Sequence, residues 1–348
     1  MGWFVSLLVL SFLIFFHELG HYIAARLMGV YVKVFSIGFG KKIYAFNWLN
    51  TQWRIAMIPL GGYVQMKGQE DMDPTAVSQD DDSYNVKKPW QRIFILLAGP
   101  FANFVIAFFL FWAIGLGGPK VLLPVIGQVV KDSPAYLAGL ETNDTITNIN
   151  GFDVGTWEDM AKAISSSKGS LNLVVERGPY IQNFTITPQM REAKNDFNET
   201  VQRRMIGIGA AGNFKQLEIK NSFSYAWEKT LWASTLIFGG VQRLISGDVP
   251  AKELGGVISI VKITADASEQ GWMAVFFFAA LISVNLGILN LFPIPALDGG
   301  HIMFNIYEMI FRRPPTENML VRLTIGGWVL LFGLMFLGLY NDINRLAG

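Results

Sequence analysis

Phe15-Phe16-His17-Glu18-Leu19-Gly20-His21-Tyr22 is the stretch that decides the fold, and it ends an apolar run from Trp3 to Phe16 that carries no charged residue. On a helix, His17 and His21 lie one turn apart on the same face, so both rings can direct a nitrogen at one Zn²⁺. Glu18 is then placed to act as general base on an attacking water. The spacing therefore predicts hydrolytic zinc chemistry on an apolar helix.

A chance match with two merely hydrogen-bonded histidines is the alternative interpretation of this motif. Ionisable groups inside a bilayer cost roughly 2.5–3.5 kcal/mol each on insertion scales. Three such groups on one apolar helix are therefore expected only where they have a function, and the membrane setting favours the zinc interpretation.

The composition indicates a membrane protein with an inserted soluble part. The chain has 348 residues, of which 51% are hydrophobic and 16% charged. Its formal net charge of +1 gives no basic excess, so nucleic acid is not expected as a partner. Cysteine is absent, so any metal must be held by His, Asp or Glu.

Four segments have the apolar length of a membrane-spanning helix, about 20 residues. They are 3–27, 93–116, 272–292 and 323–340. We predict an α-helical membrane protein with four transmembrane helices, a membrane-associated β-sheet after the first helix and an inserted soluble α+β domain. The lipid bilayer is thus one expected partner.

Lysine and arginine are concentrated in 27–92 and in the short loop before the last helix, which carries Arg312, Arg313 and Arg322. The positive-inside rule places both loops in the cytoplasm. The inserted domain and both termini are then expected on the periplasmic or outer side of a bacterial inner membrane.

Residues 30–66 alternate like strands between glycines and predict a small antiparallel sheet. An edge of this sheet can pair with an extended substrate backbone, the β-augmentation mode. An ordinary cytoplasmic cap is the alternative. The acidic segment 70–88 is expected to be a solvated, mobile loop.

Short strands and turn signals occupy 121–188. Their order looks like that of a circularly permuted bacterial PDZ domain, which binds a peptide or substrate terminus as an added strand. A steric plug without ligand affinity is the alternative. Asn143 stands where glycine usually precedes the aspartate, and Asn tolerates the left-handed backbone that this turn needs. After a polar linker, 223–245 predicts an amphipathic helix in the outer interface, or else a buried packing helix.

The second group of functional residue types lies in 283–301. Pro293 and Pro295 end an apolar helix, and Asp298 and His301 begin the next helical stretch. Such a break is tolerated at membrane depth only beside protein or a water-filled cavity. A catalytic zinc takes three protein ligands, and the chain has three histidines. The third ligand is therefore Asp298, His301 or a carboxylate elsewhere, and spacing does not choose among them.

Together these motifs closely resemble the site-2 protease family of intramembrane zinc metalloproteases, in its bacterial regulator-of-sigma-E protease branch. The resemblance runs almost end to end, through His-Glu-Leu-Gly-His, 58–64, 98–103, the PDZ region, 247–249, 282–287 and Leu297-Asp298-Gly299. One departure is that the best-known members have two tandem PDZ domains, whereas 119–220 has room for one.

The resemblance implies roles for particular residues. It implies His17, His21 and Asp298 as the zinc ligands and Glu18 as the catalytic base. It places Asn103 and Asn285 near the substrate path, and it makes the 30–66 sheet a membrane-reentrant element that brings Gly61, Gly62 and Tyr63 beside the substrate. We expect His301 to lie next to the metal ligands without binding the metal itself.

The predicted organisation follows from these assignments. Residues 1–118 hold the first two transmembrane helices and the sheet, 119–190 the PDZ domain, 191–271 a linker and the interfacial helix, and 272–348 the last two transmembrane helices. The predicted function is intramembrane zinc-dependent cleavage of single-pass membrane proteins after an earlier protease cut, with anti-sigma factors or signal-peptide remnants as substrate types.

Two other functions share some of these features. A transporter would also have broken helices and membrane carboxylates, but it would usually show an internal repeat, and the sequence shows none. A catalytically silent scaffold with a PDZ domain would tolerate loss of Glu18, which is present.

Overall fold

The computed structural model of the chain describes residues 2–69, 78–195 and 199–347. Its helices, in chain order, are α1 (Gly2–Leu27), α2 (Pro89–Leu116), α3 (Pro134–Leu137), α4 (Trp157–Ser166), α5 (Ser222–Ser246), α6 (Val257–Gln270), α7 (Trp272–Asn290), α8 (Asp298–Phe311) and α9 (Glu317–Ala347). Its strands are β1 (Val32–Trp48), β2 (Thr51–Met66), β3 (Lys120–Leu122), β4 (Ile126–Val129), β5 (Thr145–Ile149), β6 (Phe152–Asp153), β7 (Leu171–Arg177), β8 (Tyr180–Ile186), β9 (Gln189–Lys194), β10 (Thr200–Met205), β11 (Ile208–Ala210) and β12 (Phe214–Gln216).

Within the described residues, four helices are long and apolar enough to cross a membrane: Gly2–Leu27, Pro89–Leu116, Trp272–Asn290 and Glu317–Leu346. They confirm the four predicted spans and a multi-pass membrane protein. The last one begins six residues before the predicted start at 323, because its first turns carry charged residues that interrupt the apolar pattern without ending the helix.

The chain forms two compact units, one of residues 1–114 with 223–348 and one of residues 115–222. In the first unit, β1 and β2 form an antiparallel sheet that packs on α1 and α2 through Tyr22, Val32, Phe35 and Ile95. The sheet predicted for 30–66 is thus present.

The first half of β1 lies between the two halves of β2. Val34 pairs with Gln52 on one side and with Gln65 on the other. This arrangement is possible because β1 bends at Gly38, whose φ of 89° is unfavourable for residues with a side chain. Among the described residues, Gly62–Met66 pairs only with β1, so this segment is an edge strand of the sheet.

The segment before α2 differs from the predicted mobile loop in its described part. Residues 70–77 of the predicted loop lie outside the described residues. The Lys67 ammonium contacts Asp80 and Asp82 at 2.8 and 2.7 Å, and Tyr31 donates its backbone N–H to Asp82. The hydrogen bond from Lys67 lowers the pKa of Asp80. These contacts anchor the acidic residues to the sheet.

Helix α5 starts at Ser222, one residue before the predicted start at 223. Its small residues Ala226 and Ala233 are fully buried in a hydrophobic cluster with residues of α2 and α7. The ring of Phe223 packs edge-on against Phe108 of α2, whereas Trp227 and Phe238 are exposed on another side of the helix. The alternative prediction, a buried packing helix, therefore holds for one face of α5.

The second unit contains a four-stranded sheet in the order β6-β5-β7-β8, a ladder of β3 and β4 against β12 and β11, and a core around Ile146, Met160 and Leu173. Asn143 has φ 71°, so asparagine does adopt the left-handed turn that the sequence suggested.

Strands occupy much of the segment after 190 that the sequence analysis expected to be a linker. The hairpin β9–β10 is largely exposed, and it therefore lacks the apolar alternation that marks a half-buried strand. The ends of this second unit lie together: a Cβ on Gly115 would be 3.0 Å from Cα of Ser222.

Candidate active site

Helix α1 presents His17, Glu18 and His21 to a site that two glycines make possible. A Cβ on Gly20 would lie 2.3 Å from the carbonyl oxygen of Ala98, so only glycine allows α1 and α2 to pack this closely. A Cβ on Gly99 would lie 2.2 Å from Nε2 of His21. Any side chain at position 99 would thus displace the imidazole ring.

Asp298 reaches the same site from the break between α7 and α8. Residues 291–297 are non-helical, as the two prolines predict, and α8 begins at Asp298 itself. The next two residues are glycines that allow close backbone contact. A Cβ on Gly299 would lie 2.3 Å from the carbonyl oxygen of Leu291, and one on Gly300 would lie 2.3 Å from that of Ile294. The start of α8 is therefore packed tightly onto the preceding turn.

His17, His21 and Asp298 bring their ligand atoms into one triangle. The two Nε2 atoms are 3.2 Å apart, and each is 3.4 Å from Oδ2 of Asp298. Tetrahedral zinc with bonds of about 2.0–2.2 Å separates its ligand atoms by roughly 3.3–3.6 Å. Oδ2 of Asp298 is buried and has no hydrogen-bond partner among the described residues, as expected of an oxygen that faces a cation. The donor set therefore fits zinc.

Each imidazole ring is oriented by a contact to its Nδ1 atom, the nitrogen that faces away from the triangle. Nδ1 of His21 lies 2.9 Å from the carbonyl oxygen of Ile95, so it must carry the proton, and Nε2 is left with its lone pair. Nδ1 of His17 lies 3.1 Å from the side-chain amide of the fully buried Asn103. When His17 binds a metal through Nε2, Nδ1 must donate, and a half-turn of the amide presents its oxygen as the acceptor. Asn103, predicted beside the substrate path, thus contacts a candidate metal ligand.

A cavity of about 620 Å³ opens beside this triangle. Its walls come from α1, the edge strand of the sheet, the turn before α8, and α9. The lining residues include His17, Glu18, His21, Gly62, Tyr63, Val64, Gln65, Met66, Asn290, Pro295, Asp298, His301, Thr324 and Trp328. The cavity places an unpaired strand edge and the potential metal ligands in one space.

The predicted site residues fall into three groups: the potential metal ligands, other residues that line the cavity, and residues that support its walls. Glu18, Gly62 and Tyr63 line the cavity with the three potential ligands, and a Cβ on Gly62 would lie 3.1 Å from Cγ of Glu18. Gly61 makes room for a wall residue, since its Cβ would lie 1.9 Å from the Phe39 ring. His301 lines the cavity but is not part of the triangle.

Asn285 is half-buried, and it is absent from the lining residues in the part of the chain that the structure describes. Sequence reasoning instead missed Asn290, Thr324 and Trp328. Asn290 carried a usable signal, because it is the last helical residue before the proline break. Thr324 carried no usable sequence signal, except that it is a polar residue in an apolar helix.

Comparisons with known proteins agree with this chemistry. The sequence model of peptidase family M50 matches residues 5–334. A Campylobacter jejuni protein named "Putative zinc metalloprotease Cj1068" is 45% identical over 99% of this chain and 93% of its own length. A Helicobacter pylori protein of the same description is 41% identical over 98% of this chain and 99% of its own. An Agrobacterium fabrum relative, also so described, is 33% identical over 98% and 95%. The chain therefore belongs to peptidase family M50 and is a zinc metalloprotease.

Proposed function

We propose that this protein is an intramembrane endopeptidase that cuts the transmembrane segments of single-pass membrane proteins after another protease has shortened them. Anti-sigma factors and signal-peptide remnants are the substrate types that this chemistry suits. The observation that carries the proposal is the site's location. The three potential metal ligands lie within 3.4 Å of one another, and two of them belong to a helix with the length and apolar composition of a membrane span.

We assign His17, His21 and Asp298 to the metal and Glu18 to proton transfer. Zinc, when bound, lowers the pKa of a coordinated water and polarises the scissile carbonyl. Glu18 accepts a proton from the attacking water and later donates it to the leaving amine nitrogen. Asn103 and the Ile95 carbonyl keep the two imidazoles in the tautomer that leaves Nε2 free to bind metal.

The edge strand supplies a way to hold the substrate. A membrane-spanning helix hides its carbonyls in backbone hydrogen bonds, so the segment must unwind locally before it can be cut. Gly62–Met66 pairs with β1 on one side, and its residues line the same cavity as Glu18. An unwound substrate that adds to this edge as a strand would keep its backbone groups paired. This location supports β-augmentation over a mere cytoplasmic cap.

We further propose that one PDZ domain occupies the second unit and restricts access by size. The paired ladder β3–β4 with β11–β12, the four-stranded sheet and α4 support this assignment. The domain would then extend beyond the predicted 119–190, because β11 and β12 complete the ladder. Whether it also binds a peptide terminus is decided by measuring binding of labelled C-terminal peptides to the purified protein.

The test uses two single-pass substrates with the same apolar segment, one with a short outer tail and one with a folded outer domain. We expect purified protein to cut only the short-tailed substrate, inside its apolar segment, as mapped by mass spectrometry. A variant with 118–219 replaced by a short linker should cut both, and the touching ends at Gly115 and Ser222 make this deletion feasible.

Zinc content and thermal stability of the deletion variant serve as its control for folding. Products cut only outside the apolar segment would contradict intramembrane proteolysis. Unchanged selectivity in a zinc-loaded deletion variant would contradict the proposed size restriction but not the proposed intramembrane cleavage.

The proposed orientation puts the second unit on the outer side of a bacterial inner membrane. It is supported by the lysines and arginines in 27–92 and before the last helix. A reporter that is active only in the cytoplasm should work when fused after Lys88 and should fail when fused after Lys168. The reverse pattern of reporter activity would overturn this orientation.

A further inference from the structure

Thr324 lies in α9 on the wall of the cavity and is 8% exposed. The next turn of the same helix holds α9 in place, because a Cβ on Gly327 would lie 2.9 Å from the backbone nitrogen of Ala296. Trp328, one full turn from Thr324, also lines the cavity. One face of α9 is thus packed on the turn before α8 and directed into the candidate active site.

The Thr324 hydroxyl is buried and has no hydrogen-bond partner within the described residues. Buried threonines in helices usually donate to the carbonyl four residues earlier. Thr230 and Thr264 in this chain do so, to Ala226 and Ile260, both at 2.8 Å. Thr324 forgoes that bond. A buried donor without a partner is unfavourable, which indicates that its partner arrives with a ligand.

An unwound peptide in this cavity needs such a donor. Extended backbone directs its carbonyls and N–H groups alternately to its two sides. Pairing with Gly62–Met66 satisfies one side only, and burying the groups on the other side without partners would be unfavourable. The α9 wall of the cavity is not part of the sheet, and it carries the Thr324 hydroxyl. This hydroxyl can donate one hydrogen bond, which suits a single backbone carbonyl.

We infer that Thr324 is a substrate-positioning residue, whose hydroxyl donates to a backbone carbonyl of the unwound substrate. This inference rests on the proposed function and assigns a second binding wall to the same site. The substrate is held on one side by the edge strand and on the other by α9. Thr324 takes no part in the bond-breaking step.

The test compares Thr324→Val, which removes the hydroxyl at nearly constant shape, with Thr324→Ser, which keeps it. Thr264→Val is the matched control, since it removes an internally bonded hydroxyl outside the cavity. Binding of a fluorescent single-pass substrate is measured in a Glu18→Gln background, so that cleavage does not interfere. We expect Thr324→Val to raise Kd roughly three- to tenfold, as loss of one net hydrogen bond does, while Thr324→Ser and Thr264→Val stay near the parent value.

Thermal stability measured without substrate is a second readout, in which the Thr264 variant and not the Thr324 variant should show the loss. Thr324→Val should be at least as stable as the parent because it deletes an unpaired buried donor, whereas Thr264→Val should be less stable. An unchanged Kd for Thr324→Val, or a loss of substrate-free stability, overturns the inference. Either result combined with normal wild-type cleavage leaves the proposed function intact. Wild-type protein that holds zinc but cuts no membrane segment overturns the proposed function itself.

Discussion

Replacing Glu18 by Gln is expected to reduce cleavage by at least the ~10²–10⁴-fold that general acid–base catalysis contributes. Glutamine keeps the size and hydrogen-bonding capacity of the side chain but cannot accept the proton from the attacking water. Zinc content and folding should persist, because the potential metal ligands are untouched. The measurement is turnover of a single-pass substrate by detergent-solubilised wild type and variant at matched zinc occupancy.

Lower expression would not account for such a loss. Removing a charge from a helix with the composition of a membrane span should, if anything, ease its insertion. Glu317→Gln is a suitable control, because it removes an exposed carboxylate at the start of another apolar helix. Near-wild-type turnover by the Glu18 variant would falsify the assignment of Glu18 as the catalytic base and would mean that another group accepts the proton from the attacking water.

Replacing Asp298 by Ala is expected to abolish tight zinc binding. The substitution removes one corner of the ligand triangle and leaves two histidines, fewer than the three protein ligands of a catalytic zinc site. The loss of affinity should exceed the 10–100-fold that is typical when a residue behind the ligands is removed. Zinc is measured by elemental analysis after dialysis and by competition with a chelator.

His301→Ala is the matched comparison for Asp298→Ala. It also removes a polar side chain from the cavity wall, but one outside the triangle, so zinc affinity should fall by no more than that 10–100-fold. Full zinc occupancy in Asp298→Ala, or equal losses in both variants, would show that the third ligand has been assigned to the wrong residue.

The parts of the fold that sequence predicted are those fixed by local rules. A bilayer requires about 20 apolar residues for each crossing, so four spans could be identified from composition alone. The spacing of His17 and His21 determines their shared helical face. The left-handed turn at Asn143 depends on one residue type and was likewise predictable.

The parts that sequence missed depend on long-range packing or on exposure. Spacing left the third ligand open between Asp298 and His301, and the family resemblance selected Asp298, because the choice depends on how α8 packs against α1. Asn285 and Asn290 are both polar residues of α7, but five residues at about 100° each place them roughly 140° apart around the helix. Only the folded chain shows that Asn290 faces the cavity. The hairpin after 190 is exposed, so it carries no apolar alternation.

The touching ends of the second unit bear on how such proteins diversify. Because Gly115 and Ser222 adjoin, material between them can grow, shrink or be duplicated without changing the separation of α2 and α5, which also meet through Ile114 and Ala226. Under the proposed size restriction, selection can change this unit, and with it the substrates admitted, while the residues that carry the chemistry stay under separate constraint. A single insertion between Gly115 and Ser222 could therefore enlarge or duplicate this unit and leave the positions of the metal ligands unchanged.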